Sequence, residues 1–294
     1  MMARKFFILI VLFAVFACGR KVVPGEKQII TVSIPPFKYF IEKIAGDDFS
    51  VNVMVPAGAN PHIYEPFPEQ ITNLSKSVAY ISNGFLGFEM TWLDRFYEIN
   101  GDMNKLNLGD KIEPLEPEHH HEGGFTESAD PHYWVSPVCA EIIAVSIKDF
   151  LSELNPGRAE VYERNYKKLD SLILSTENTA KAYFSNTPYK AFMIYHPNLG
   201  YIARDYGLEE ISVEYEGKEP PPSRMKYLID RARKENIRVI FVQKEYDTKN
   251  AKAIADEIGA EIKIIDPLSE NWERSVMDII TSLHESLSGE KKQI

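Results

Sequence analysis

Residues 239–268, VIFVQKEYDTKNAKAIADEIGAEIKIIDPL, decide the fold, because they contain two strand-like runs separated by a helical stretch. Residues 239–243 and 262–265 are short apolar runs typical of buried strands, whereas residues 249–258 carry apolar side chains at helical spacing. Strands that alternate with helices form parallel sheets with helices on both faces. This stretch therefore predicts an α/β fold.

Two series of such units occupy the chain. The first has strand-like residues 29–34, 51–55 and 78–82 and helical residues 37–45, 69–76 and 88–99. The second has strand-like residues 191–195, 211–213, 239–243 and 262–265 and helical residues 199–206, 223–236 and 249–258. We therefore predict two Rossmann-like lobes, one within residues 29–156 and one within residues 185–294.

Between the two series, residues 137–183 contain no strand signal. Asn155, Pro156 and Gly157 interrupt this region, because the residue before a proline is disfavoured in helical geometry. Residues 158–183 then predict one helix of roughly 39 Å at the usual rise per residue. We assign residues 157–184 as a rigid linking helix; an ordinary packed helix within one domain is the alternative.

The N-terminus has the pattern of an export signal. Arg4 and Lys5 precede an apolar run over residues 6–17 that is too short to span a bilayer permanently. The run ends at Ala17-Cys18-Gly19, which resembles the lipobox of bacterial lipoproteins. We predict a signal peptide over residues 1–17, a lipidated Cys18 and a tether over residues 18–28, hence a periplasmic or cell-surface lipoprotein. A signal peptide with an incidental cysteine is the alternative.

The charge of the chain argues against nucleic acid as a partner. The formal net charge is −10, and loss of Arg4 and Lys5 with the signal peptide makes it −12. An acidic protein is a poor candidate for binding the phosphate backbone of nucleic acid.

Polar side chains follow three of the predicted strands. His62 comes after residues 51–55 through a short loop, His196 directly follows residues 191–195, and Asp266 directly follows residues 262–265. In open α/β sheets, ligands bind beyond the carboxyl ends of the strands. His132, in the segment Asp130-Pro131-His132, is a fourth candidate. Three imidazoles and one oxygen form a standard zinc shell, so we predict a metal site in the cleft between the lobes.

Several motifs together resemble one protein family. These are PAGANPHIYEP at residues 56–66, DPHYWVSP at 130–137, YHPNLGYIARDYGL at 195–208, EGKEPPPS at 216–223 and the stretch at 239–268. They resemble the metal-specific solute-binding lipoproteins of bacterial ABC importers, the zinc and manganese uptake family, over about residues 29–287.

The resemblance implies two lobes joined by one long helix, with the metal between them. It also implies a monomer that takes up Zn²⁺ with high affinity and delivers it to an ABC permease and its ATPase in the membrane. The family's ligands fall on His62, His132 and His196, and the carboxylate used by many members falls on Asp266.

The ligand set favours zinc. Manganese members commonly carry a glutamate where His196 stands, and imidazole-rich shells suit zinc better than manganese. Some zinc members supply a glutamate immediately before the first histidine, whereas this chain has Pro61. The fourth position is therefore left to Asp266 or to water, and a manganese-binding importer component remains an alternative.

A second cluster of histidines lies at His119, His120 and His121, beside Glu118 and Glu122. Zinc members of the family often carry a longer histidine- and acid-rich loop there. Clustered imidazoles and carboxylates on a loop take up zinc weakly, so we expect an accessory metal site. A solvated acidic loop is the alternative.

Two other functions remain for comparison. A zinc hydrolase would use an open position on the metal to activate water, but the chain has no HExxH or GxSxG motif. We therefore predict that the protein is not an enzyme. A lipoprotein adhesin with incidental metal binding is the other alternative.

Overall fold

Two four-stranded parallel sheets form the framework of the described residues. The computed structural model describes residues 27–116, 129–214 and 218–289. The first sheet contains β1 (Gln28–Val32), β2 (Phe49–Val53), β3 (Ala79–Ser82) and β4 (Asn104–Asn107) in the order β2-β1-β3-β4. The second contains β5 (Ala191–Ile194), β6 (Glu209–Ser212), β7 (Val239–Gln243) and β8 (Glu261–Ile265) in the order β6-β5-β7-β8. The two sheets thus repeat one topology.

Helices connect the strands in both lobes. The first lobe contains α1 (Pro35–Ala45), α2 (Pro68–Lys76), α3 (Gly87–Ile99) and α4 (Pro137–Leu154). After α5 (Ala159–Ser185), the second lobe contains α6 (Gly200–Tyr206), α7 (Pro222–Lys234), α8 (Lys249–Ile258) and α9 (Trp272–Leu287). The predicted α/β class with two lobes is confirmed.

Two elements went unassigned in the sequence analysis. The edge strand β4 reads Asn-Lys-Leu-Asn, and its only apolar residue is Leu106. Its strand character comes from pairing with β3, which no local pattern reports. The helix α9 has a buried apolar face that packs on both α5 and β5.

The long helix α5 runs against both lobes. It packs on α1 and α4 of the first lobe and on α6 and α9 of the second. Tyr162 and Leu169 are buried near its start, and Ala180 and Phe184 are buried near its end. The long helix predicted from residues 158–183 is therefore present, and we propose that it links the lobes with the boundaries given above.

Two buried indoles join the lobes. Trp134 Nε1 donates to the carbonyl of Pro267 over 2.9 Å, and Trp272 Nε1 donates to the carbonyl of Trp134 over 2.6 Å. The Trp272 ring also packs on Phe40 of the first lobe, with ring centroids 5.2 Å apart. One continuous hydrophobic core therefore extends from the first lobe into the second.

Some predicted features lie outside the described residues. These are the signal peptide, Cys18, most of the tether and His119, His120 and His121. Gln28, the last tether residue in the prediction, already belongs to β1. Among the described helices, none has the length and apolar character needed to cross a bilayer.

Candidate metal centre

Three histidines converge where the two lobes meet. His62 lies in the loop between β2 and α2, His132 immediately precedes a one-turn 3-10 helix at Tyr133–Val135, and His196 lies two residues beyond β5. One nitrogen from each ring lies within 4.8 Å of the other two. The Nε2 atoms of His62 and His196 are 3.1 Å apart. The structure thus brings together the three histidines selected from the sequence.

Asp130 fixes the orientation of His132. Its Oδ1 accepts both the backbone N–H of His132 over 2.8 Å and the ring Nδ1 of the same residue over 2.7 Å. A carboxylate can only accept here, so Nδ1 carries the proton and the Nε2 lone pair is available to a metal. His132 is buried, with 5% of its surface exposed.

Glu214 and Gln243 hold His196 in a comparable way. Glu214 Oε2 accepts from His196 Nδ1. Gln243, the last residue of β7, accepts the backbone N–H of His196 over 3.3 Å and donates to its carbonyl. The ring of Tyr246 stacks on the imidazole with centroids 4.9 Å apart and planes inclined by 15°. These contacts fix the imidazole on several sides.

The electrostatic environment keeps His196 neutral. The pKa of His196 is lowered from 6.5 to about 4; burial is the largest cause, the bond to Glu214 opposes it, and the nearby His62 and His132 add to the lowering. The charged form is disfavoured because burial removes its hydration. His196 is therefore in the form that ligates metals near neutral pH.

The turn between β3 and α3, together with the start of α3, holds both ligand loops of the first lobe. Asn83 Nδ2 donates to the carbonyl of Pro131, next to His132, over 3.0 Å. Phe88 N–H donates to the carbonyl of Pro61, next to His62, over 3.4 Å. The two ligand loops are therefore attached to this turn and to the start of α3 that follows it.

A buried carboxylate organises that turn. Glu89 accepts the backbone N–H groups of Asn83 and Gly84 over 2.7 and 2.6 Å, and it also accepts from Ser33 Oγ. Burial raises the pKa of Glu89 to about 7, although these hydrogen bonds lower it. Glu89 thus stabilises the turn that holds the ligand loops, without contacting a ligand itself.

Asp266 lies apart from the three histidines in the described structure. Its Oδ2 is 3.4 Å from Lys244 Nζ, and it is absent from the group of mutually close ligand atoms. Its loop is nevertheless near the site. The neighbouring Pro267 accepts from Trp134, whose ring centroid lies 5.3 Å from that of His132. The role of Asp266 as fourth ligand stays a prediction.

The sequence analysis did not identify the residues that orient the histidines. Asp130 could have been found, because an aspartate two residues before a histidine can accept its backbone N–H. Glu214 has no such local signal. It follows β6, and only the pairing of β6 with β5 brings it beside His196.

The arrangement is chemically suited to a divalent transition metal. Neutral imidazole is a ligand common to zinc, copper, iron and nickel, and three such donors with one further ligand make a tetrahedral zinc site. Carboxylates that bind the distal N–H of a ligating imidazole fix its tautomer and raise its basicity. Asp130 and Glu214 are placed to do this for His132 and His196.

Comparisons with known proteins agree with this geometry. The family model described as ZnuA, zinc-uptake complex component A, periplasmic, matches residues 30–287. The zinc-binding lipoprotein AdcA of Streptococcus pneumoniae is 27% identical over 87% of this chain, and the high-affinity zinc uptake system protein ZnuA of Bacillus subtilis is 26% identical over 83%. This chain spans 53% of the length of that AdcA and 79% of that ZnuA.

A solved structure of a zinc-uptake protein has the same fold as this chain. A crystal structure of ZnuA superimposes with a TM-score of 0.83 at 36% identity, covering 90% of this chain and all of the other.

We expect Asp130→Asn and Glu214→Gln each to weaken zinc binding by about 10- to 100-fold, because the amide no longer fixes the tautomer of its histidine or raises its basicity. Affinity is measured by competition with a chelator. Asp48→Asn is the control, since Asp48 accepts from Tyr162 and Arg158 over 2.8 Å at the start of α5. Wild-type affinity in both site variants would contradict this role.

Proposed function

Because the chain belongs to the family of zinc-uptake component A proteins, we propose that it is the extracytoplasmic zinc-binding component of an ABC importer. In this role it binds Zn²⁺ and delivers it to a membrane permease powered by an ATPase. The family is one of binding components, so the prediction that the protein is not an enzyme is confirmed.

One observation carries the proposal: three histidines from both lobes face one point, and two of them are oriented by carboxylates. Such a centre supplies nitrogen donors to a metal ion held between the lobes. Three nitrogen donors favour zinc over manganese, which prefers oxygen. We therefore propose Zn²⁺ as the cargo of this protein.

Calorimetry on the metal-free soluble protein tests the cargo. We expect one tight zinc site, weaker binding of Mn²⁺, and a large loss of zinc affinity in His132→Ala, because a buried ligand is removed. His284→Ala is the control, since His284 stacks on Tyr183 with ring centroids 4.1 Å apart, between α5 and α9. Unchanged zinc affinity in His132→Ala, or tighter binding of Mn²⁺ than of Zn²⁺, would contradict the proposal.

We also propose the histidines at 119–121 as a weak accessory site. The same titration tests this proposal, because a weak second phase of zinc binding should disappear when all three are replaced, while the tight phase persists. Loss of the tight phase would assign these histidines to the main centre instead.

Asp266 is our proposed fourth ligand. The support is its position directly after β8, in a loop bonded to Trp134 beside His132. A carboxylate that completes the shell leaves no position for a reactive water, as suits a carrier.

We expect Asp266→Ala to weaken zinc binding by roughly 1–3 kcal/mol without abolishing folding, because water substitutes for the lost oxygen. Calorimetry and thermal unfolding measure the two effects. Lys244→Ala, which removes the cation beside Asp266, should retain zinc binding. Wild-type affinity in Asp266→Ala would assign the fourth position to water.

We propose that the protein is exported and anchored through a lipidated Cys18. The support is the apolar run before Cys18 and the similarity of the chain to the pneumococcal zinc-binding lipoprotein AdcA. We further propose a monomer, since the three histidines come from one chain.

Cys18→Ala should release the protein from membranes, because the thiol that accepts the lipid is lost. Immunoblots of membrane and soluble fractions measure the distribution, with Cys139→Ala as the control because Cys139 is buried within α4. Undiminished membrane retention of Cys18→Ala would reject the anchor.

A further inference from the structure

The short helix α6 connects a metal ligand of the second lobe to the first lobe. It begins four residues after His196. The connecting loop is fixed to β6, because Glu210 Oε1 accepts the backbone N–H groups of Asn198 and Leu199 over 3.0 and 3.1 Å. His196 and α6 therefore belong to one fixed unit of the second lobe.

Tyr201 lies in the first turn of α6 and is fully buried. Its hydroxyl donates to the carbonyl of Asp130 over 2.9 Å and accepts the backbone N–H of Leu115 over 3.2 Å. Asp130 N–H in turn donates to the carbonyl of Leu115 over 2.9 Å. One hydroxyl of the second lobe thus closes a ring of hydrogen bonds with two first-lobe residues.

Asp130, a member of this ring of hydrogen bonds, also contacts a candidate metal ligand. Asp130 holds His132 through both its backbone N–H and its Nδ1. The path from the second lobe to the first therefore joins three groups: the Tyr201 hydroxyl, Asp130 and the His132 ring. Two hydrogen bonds connect them, of 2.9 Å to the Asp130 carbonyl and 2.7 Å from His132 Nδ1 to Asp130 Oδ1.

Neighbouring contacts hold α6 in this position. Arg204 donates to the carbonyl of Glu113 over 3.0 Å, and its guanidinium lies 4.8 Å from the centre of the Tyr201 ring. Asp205 accepts from the hydroxyl of Ser136, which also caps the N-terminus of α4. The helix is therefore bound to the first lobe at several points around Tyr201.

We propose that Tyr201 is a positioning residue of the metal centre, which sets the orientation of His132 through Asp130 when the lobes are docked. The inference rests on the proposed metal binding. Without the hydroxyl, the Asp130 carbonyl and the Leu115 N–H lose a buried partner, and the Asp130 segment is free to shift. The His132 ring then departs from the position in which it shares an ion with His62 and His196.

Tyr201→Phe tests this role because it removes only the hydroxyl. We expect zinc affinity to fall about fivefold to tenfold, the worth of roughly one buried hydrogen bond. We also expect the visible absorption bands of bound Co²⁺ to shift, because they report the arrangement of the ligands around the ion. A loss of stability alone would not move these bands at saturating metal.

Tyr162→Phe is the matched control. Tyr162 is also fully buried, and its hydroxyl donates to Asp48 over 2.8 Å at the start of α5. It should lower the melting temperature while leaving zinc affinity and the Co²⁺ spectrum as in the wild type. Equal effects of both variants, or none from Tyr201→Phe, would overturn the inference.

Arg204→Met is a second variant in case Tyr201→Phe does not fold. It releases α6 from Glu113 but keeps the Tyr201 hydroxyl, so we expect a smaller spectral shift in the same direction. An unshifted spectrum in Arg204→Met would then overturn the inference. If the wild type itself binds no zinc in this assay, the proposed function is wrong and the inference is wrong with it. If the wild type binds zinc and the variants bind it with the same affinity and the same Co²⁺ spectrum, only the inference is wrong.

Discussion

The close approach of three imidazoles, one buried and two partly buried, is the constraint on which the rest of the centre depends. Two Nε2 atoms at 3.1 Å cannot both direct lone pairs at each other without repulsion, unless one of the two imidazoles carries its proton on Nε2 and donates it to the other. A second proton, which would charge the pair, is disfavoured by burial, as the lowered pKa of His196 indicates. A divalent cation satisfies all three lone pairs at once. The carboxylates behind His132 and His196 then serve a second purpose, since their charges balance that of the ion in a site largely shielded from water.

The architecture limits how such an ion could leave. The helix α5 packs on both lobes, and the indoles of Trp134 and Trp272 join the lobes within one core. Wide opening would break these buried contacts. We therefore propose that release proceeds by a small shift of the second lobe, which withdraws His196 and Asp266 from His62 and His132. Because α6 moves with His196, the same shift would loosen the bond between Tyr201 and Asp130 and release the restraint on His132.

Much of this structure was accessible from the sequence, for identifiable reasons. The βα alternation and the strand ends reflect local apolar patterns, so the class, the long helix and the positions of His62, His132 and His196 could be predicted. The edge strand β4 and the position of Glu214 beside His196 depend on pairing between distant segments, which the local pattern of apolar residues does not reveal. Glu89 was missed for a related reason: a glutamate in the first turn of a helix usually faces water, and only the tertiary structure places this one beneath the ligand loops.

The balance of charge at the centre bears on the fourth ligand. In the proposed zinc-bound state, Zn²⁺ with three neutral imidazoles carries two positive charges, which Asp130 and Glu214 already offset through the distal imidazole N–H groups. Binding Asp266 would add a negative charge that the ion no longer needs, while removing the partner of Lys244. The opposing effect is the direct bond of a carboxylate oxygen to zinc, because a water molecule in that position would be a weaker ligand. Because Lys244 and Asp266 are both partly exposed, their ion pair is screened and contributes little. We therefore propose that the bond to zinc outweighs the ion pair and that Asp266 turns toward the ion once it is bound.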